Sequence, residues 1–292
     1  MDYRIEQKDI DLLRSAGMNE VDLDHSLKVA AKALEIARRT GATLDLVLVG
    51  RGALFHDLGK TATHKISHGK IGAELGAKMG LPQAVTAVME KHIHGGLTEP
   101  EAIELGLPVK DYTLHRLEER IIIYADRLVD IIHDGIVKIK AESEAETCFV
   151  EILKGNHKYG KNEATLKRYL GYHEEIQGVI AGRIIDAQRL AGMLTQGGVT
   201  LLDVRRKADH EAAPDMIPGA ICRDPEQVEQ WAAEMAKGSR TAIYCARGGS
   251  VSQSVSNTLL KKGLAVVYLN GGLKAWSDHG NFLDGASHKD RK

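Results

Sequence analysis

Between residues 24 and 180 the apolar positions recur three and four apart, segment after segment, and near Gly182 that rhythm gives way to short β-branched runs. The first spacing buries one face of a helix and the second pattern fits strands, so two rhythms in separate blocks are read as two domains. The length of 292 residues agrees, since single cores stop growing at about 250–300 residues. The expected division is an all-α helical bundle over residues 1–181 and an α/β domain, with a parallel sheet flanked by helices, over residues 182–292.

Glycines and caps punctuate the first block. "DHSLKVAAKALEIARRTG" offers Asp24 as N-cap, Leu27, Ala31 and Leu34 on one face, and Gly41 as a stop. "TLDLVLVGRGALFHDLG" repeats the plan with Gly59 at its end, and "SHGKIGAELGAKMG" runs from Ser67 as cap to Gly80. A fourth helix follows Pro82 and stops at Gly95 and Gly96. "HRLEERIIIYADRLVDIIHDG" is a long, apolar fifth, and stretches at 146–153 and 163–180 close the bundle. In the second block "VTLLDV", "TAIYC" and "AVVYL" alternate with the helical stretches "PEQVEQWAAEMAKG" and "SVSQSVSNTLLKKG". The polar tail "ASHKDRK" is expected to fray.

Composition removes several function classes. A hydrophobic share of 43% with 27% charged residues is that of a globular chain, and a formal net charge of −1 supplies no basic field for nucleic acid. No apolar run approaches the ~18 residues of a spanning helix, and residues 1–24 lack the apolar core of a leader. The expectation is a cytoplasmic protein that takes no nucleic acid and no membrane. Cys148, Cys222 and Cys245 are scattered without zinc-like spacing, which argues against a disulfide framework and a cysteine-built metal site.

"ALFHDLGK" sets a histidine and an aspartate side by side among core residues. Both are costly to bury, and a bound cation relieves the cost by compensating the carboxylate and fixing the imidazole. Other helices carry matching groups: His25 precedes Val29 by four, His68 precedes Ile71 by three, His92 follows Val88 by four, and Asp126 follows Ile122 by four. Imidazoles mixed with carboxylates suit a divalent ion of the Mn, Fe, Co, Ni or Zn type better than calcium, and Mg stands beside these as a further expected ion. Of the 13 histidines, His64, His94, His115, His133, His157 and His173 are read as ordinary core or surface residues.

The order His25, then "FHDLGK", then "YADRL" resembles the HD superfamily of metal-dependent phosphohydrolases, an all-helical fold, over roughly residues 20–135. The resemblance implies a first metal site at His25, His56, Asp57 and Asp126. It implies a second at His68 and His92, which match the additional histidines of members holding two metals, with Asp57 as bridge. Water activated by the metal would attack the phosphorus of a phosphate ester, a nucleotide or small phosphometabolite. Lys60 and Arg127 stand beside the ligands and are expected to neutralise phosphate oxygens. The same residues would also serve a regulatory protein that binds a nucleotide or metal without turnover.

In the second block Cys245 ends a strand and precedes a glycine loop and a helix. Backbone N–H groups over Ala246, Arg247, Gly248, Gly249 and Ser250 can converge there on a thiolate or persulfide. "LLDVR" at 201–205, "MIPGAI" at 216–221, the cysteine loop and "YLNGGLKAW" at 268–276 resemble the rhodanese domain over about residues 183–280. The resemblance implies that Cys245 carries sulfur as a persulfide, taken from a sulfane sulfur donor and passed to a thiol acceptor. It makes Asp203 and Arg205 framework, with Asp203 bonded to the loop. The family's loop runs Cys, two residues, Gly, one residue, Arg; here Ser250 holds the last place and Arg247 supplies a cation three places earlier. Met216 stands where the family has a histidine. Both changes bear on the donor, and a redox or sulfur sensor is the alternative reading. Cysteine-phosphatase chemistry needs an arginine six residues after the nucleophile, and that residue is Val251.

Overall fold

The structure is a computed structural model and describes residues 3–235, 240–281 and 283. The chain divides into two compact units, Met1–Gln177 and Gly178–Lys292.

The first unit is helical: α1 (Gln7–Ser15), α2 (Glu20–Thr40), α3 (Leu46–Phe55), α4 (His68–Lys78), α5 (Gln83–Lys91), α6 (Glu99–Glu104), α7 (Leu117–His133), α8 (Glu142–Thr147), α9 (Phe149–Gly155), α10 (His157–Gly160) and α11 (Glu163–Ile180). The apolar α3 is central and packs on α2, α5 and α7, and Leu54 and Phe55 are fully buried. Gly52 permits the close crossing with α7, because a Cβ there would lie 2.8 Å from Ile122 Cδ1. Burying an apolar face of this kind, at about 25 cal/mol per Å², is what holds short helices that would not form alone.

Three local expectations are corrected. Helix α2 starts before Asp24, because the Asn19 side chain accepts from the N–H groups of Val21 and Asp22 and caps it. His25 therefore sits well inside a helix. Helix α3 ends at Phe55 rather than at Gly59; His56 is its cap and Asp57 leaves helical geometry at φ −98°, ψ 13°. Gly59 lies instead in a single 3₁₀ turn, Leu58–Thr61, where a Cβ would stand 1.9 Å from the carbonyl oxygen of His68. Glycine is needed there to press this turn against α4. The stretch at 146–153 is two helices, with Cys148 between α8 and α9.

The second unit holds five strands, β1 (Ile184–Ile185), β2 (Val199–Asp203), β3 (Ile221–Cys222), β4 (Arg240–Tyr244) and β5 (Ala265–Leu269), in the order β1-β5-β4-β2-β3. Every pairing is parallel. The helices are α12 (Ala187–Gln196), α13 (Lys207–Ala212), α14 (Val228–Trp231), α15 (Ser250–Lys261) and α16 (Gly272–Asp278). Ile185, Leu190, Leu201, Ala242, Leu269 and Trp276 share one core. The helix expected over "PEQVEQWAAEMAKG" is broken into a 3₁₀ turn at Pro225–Gln227, the single turn of α14, and another 3₁₀ turn at Ala232–Glu234. Trp231 causes part of this by donating its indole N–H to the Asp224 carbonyl at 2.7 Å. The rest of that stretch and the tail "ASHKDRK" lie outside the described residues. Among the described residues no helix is long and apolar enough to cross a membrane.

Candidate metal centre and cysteine loop

Five helices bring the six expected ligands together. His25 comes from the middle of α2, His56 and Asp57 from the end of α3, His68 from the first position of α4, His92 from the cap of α5 and Asp126 from the middle of α7. They form two clusters, His25–His56–Asp126 and Asp57–His68–His92, and within each the potential ligand atoms lie within 4.8 Å of one another. Asp57 joins them. Its Oδ2 is 3.2 Å from His56 Nε2 and 3.8 Å from His25 Nε2, while its Oδ1 is 3.3 Å from His68 Nε2 and 3.4 Å from His92 Nε2. On the other side of the first cluster, Asp126 Oδ1 is 3.0 Å from His25 Nε2 and 3.5 Å from His56 Nε2.

The ring tautomers fit a cation. Nδ1 of His56, His68 and His92 each lies 2.6–2.8 Å from the carbonyl oxygen three residues earlier, at Ala53, Lys65 and Met89. A carbonyl only accepts, so each Nδ1 carries a hydrogen and each neutral ring turns an Nε2 lone pair into the site. His68 Nε2 and His92 Nε2 then face each other at 2.8 Å with nothing to share unless a proton or a metal ion stands between them. His56 Nε2 is buried and makes no hydrogen bond. These are the marks of residues arranged for a divalent ion.

The electrostatics agree. Burial works against a charged His56, yet the Asp57 and Asp126 carboxylates outweigh it and hold the imidazole well above its ordinary value. Burial likewise works against charge on Asp57, but His56, His68 and His92 hold its carboxyl well below the usual range. Asp126 is lowered in the same way, against burial, by His25 and His56. Burial pushes the His92 imidazole down, toward the neutral form a metal takes. Two carboxylates, Asp57 buried and Asp126 half-buried, thus demand positive charge, from imidazolium or from an ion.

The clusters open onto a cavity of about 480 Å³. Lys60 and Arg127 are on its wall, as is the positive charge of Lys158 and Lys161. Lys60 Nζ is 2.5 Å from Asp57 Oδ2. Arg127 is buried, donates to Asp130 at 3.3 Å and to the Tyr169 hydroxyl at 3.2 Å, and stacks over the Tyr169 ring at 4.7 Å. Sequence reasoning missed Lys158, Lys161 and Asp130, and it set aside His64 and His94, which also line the cavity. For His94 a signal existed: it precedes Gly95-Gly96 and adopts φ +51°, a conformation uncommon outside glycine. Arg168 holds it there by donating to its carbonyl oxygen at 2.8 Å.

In the second unit β4 runs between β5 and β2, so its carboxyl end delivers Cys245 at the middle of the sheet's edge. The loop over Ala246, Arg247, Gly248 and Gly249 leads directly into α15 at Ser250. Two glycines fix it. A Cβ at Gly272 would lie 2.2 Å from the Cys245 carbonyl oxygen, and one at Gly248 would lie 2.5 Å from the Gly271 nitrogen. The Leu273 and Lys274 N–H groups bond the carbonyls of Cys245 and Ala246 at 2.9 and 3.2 Å. This "NGGLK" segment, and not Asp203, therefore anchors the loop. Asp203 is fully buried and accepts from Arg205 at 2.6 Å and from the Tyr244 hydroxyl at 3.0 Å, while Arg205 reaches the Ala213 and Asp215 carbonyls. Arg205 and Asp203 are thus framework, one step removed from the cysteine. A cavity of about 330 Å³ beside Ser250 carries Arg206 and Glu226, and Cys245, itself buried, is not among its lining residues.

Comparison with known proteins agrees with both units. The HD domain model matches residues 22–132 and the rhodanese-like domain model residues 186–279. An uncharacterized protein of Methanocaldococcus jannaschii is 34% identical over 177 residues, covering 60% of this chain and 98% of that one. A tRNA (cytidine(56)-2'-O)-methyltransferase of Thermoplasma volcanium is 38% identical over 123 residues, 42% of this chain and 36% of the methyltransferase. The corresponding enzyme of Picrophilus torridus is 33% identical over 60% of this chain and 47% of its own length. The chain thus spans less than half of either methyltransferase. Among solved structures, a rhodanese-like domain protein from Staphylococcus aureus is 28% identical, with a TM-score of 0.32 over 36% of this chain and 99% of that one. The chain carries an HD domain followed by a C-terminal rhodanese-like domain. The pair supports a metal-dependent hydrolase joined to a sulfurtransferase-like module.

Proposed function

We propose that the first unit hydrolyses a small phosphate ester, a nucleotide or phosphometabolite, with divalent metal held by His25, His56, Asp57, His68, His92 and Asp126. The observation that carries this reading is Asp57, whose two oxygens face different histidines in the lining of a cavity that also carries Lys60, Arg127, Lys158 and Lys161. A divalent ion bound there supplies Lewis-acid activation of water and positive charge for phosphoryl oxygens. Lys60 sets an ammonium at the edge of the clusters, and Arg127 adds a guanidinium. The formal net charge of −1 favours a small ester over the tRNA named for two relatives. Metal analysis of the purified protein, followed by a hydrolysis screen with Mn, Co, Ni and Mg, tests it. Retained metal and phosphate release that Asp57→Ala abolishes are expected; a loaded protein that turns over no ester would be a metal or nucleotide binder.

For the second unit we propose sulfur transfer. The Cys245 thiolate attacks the outer sulfur of a donor such as thiosulfate, forming an S–S bond while sulfite leaves with the electron pair; a thiol acceptor then takes the outer sulfur. The loop amides stabilise the anionic persulfide. Mass spectrometry after thiosulfate treatment should show one added sulfur, and none in Cys245→Ser. Ser250 in place of the loop arginine and the burial of Cys245 favour a second reading, slow sulfur sensing; loading without multiple turnovers to thiols would select it.

A further inference from the structure

Lys161 and His94 are the described non-glycine residues with positive φ, +53° and +51°, and both line the same cavity. A non-glycine residue in this region is strained, and such strain persists only where surrounding structure imposes it. Here Arg168 and Tyr172 of α11 impose part of it, donating to the carbonyls of His94 and Gly95 at 2.8 Å each.

The charges around these residues do not cancel. Lys60 is paired with Asp57 and Lys158 with Asp134 at 2.7 Å. Arg127 is paired with Asp130, but its Nε–H is buried and makes no hydrogen bond. The Lys161 side chain is partly buried with no ion pair or hydrogen bond among the described residues, and its ammonium is pushed down by burial and by Arg127, against the pull of Asp126 and Asp130. A partly buried ammonium without a counter-ion of its own, on the wall of a cavity shared with a buried guanidinium, carries a desolvation cost that an anion in the cavity removes.

We propose that Arg127, Lys161 and His94 form an anion subsite, separate from the histidine–aspartate clusters, that takes a second phosphate of the substrate. Guanidinium, ammonium and imidazole donors arriving from three different segments suit a tetrahedral oxyanion better than a planar one. The subsite deepens the hydrolase reading and rests on it for the substrate class: a small ester with two phosphate groups, one at the clusters and one on Arg127 and Lys161. Neither strained residue is a ligand in the clusters.

The test is calorimetric titration of inorganic phosphate into the full chain, metal-loaded and after removal of metal by chelation. The stripped protein is expected to keep one phosphate site per chain. Lys161→Asn, whose side chain tolerates positive φ, should weaken that site by about tenfold or more, and Lys161→Arg should restore it. With metal restored, Lys161→Asn should raise KM for a bisphosphate ester more than for a monophosphate one. Stripped protein that binds no phosphate, or Lys161→Asn that binds it as the wild type does, overturns the subsite. Failure of the hydrolase reading has a different signature: no ester is turned over by metal-loaded wild type, whatever the phosphate titration shows.

Discussion

The first unit assembles its site from side chains, six ligands on five helices, whereas the second assembles its site from main chain, a loop held against Gly271 and Gly272. The difference decides what each site can lose. Where side chains converge, each one removed takes a ligand with it and leaves the fold. Where main chain converges, the side chains around Cys245 are exchangeable and Gly248 and Gly272 are not, because the space a Cβ needs at these two positions is occupied by backbone.

Removing the shared ligand should have the largest effect. Asp57→Ala is expected to lower phosphate release by about 10³-fold or more, several kcal/mol of transition-state stabilisation, and to reduce bound metal in elemental analysis. His68→Ala should remove one ion while leaving the cluster at Asp126 loaded; equal loss of both ions would mean the clusters act as one site. In the second unit the contrast is sharpened by Gly272→Ala. Strain at φ +60° and the 2.2 Å approach to the Cys245 carbonyl should cost about 2 kcal/mol or more, lower the melting temperature and abolish sulfur loading. Arg247→Ala should leave loading within a few-fold of wild type, since this side chain is exposed.

Gly59→Ala breaks the comparison if it behaves like a surface change. The turn it occupies touches α4 at His68, so a Cβ should displace that ligand and lower metal stoichiometry without unfolding the bundle. The smallest effect expected is on pH dependence. Burial works against charge on Glu119, yet the Arg116 N–H, Lys91 and the His115 N–H hold its carboxyl below the usual value. A lowered carboxyl contributes stability that is present above its unfolded value and is lost as pH falls through the folded one. Glu119→Gln should therefore flatten the acid limb of the stability curve measured by thermal melting.

Much of the site was readable in advance because a histidine or aspartate on an apolar face is conspicuous: His25, His92 and Asp126 each sit a helical turn from a core residue. The parallel sheet was readable from the β-branched runs between helices. What sequence could not show were properties of backbone and distance. Asn19 outcompetes Asp24 as cap because its side chain reaches two N–H groups. Gly59 looks like a helix stop and is a contact point. Asp203 sits in the right strand, but its bonds go to Arg205 and Tyr244 rather than to the cysteine loop. Lys158 and Lys161 look like ordinary surface charge, and only the packing of α10 and the turn after it turns them to the cavity.

The most direct measurement is an anomalous-scattering map from crystals of the full chain grown with manganese. Two peaks are expected, one beside His25, His56 and Asp126 and one beside His68 and His92, with the Asp57 carboxylate between them. A map with no peak at these residues, or with the ion held elsewhere in the first unit, contradicts the convergence on which the proposed chemistry depends.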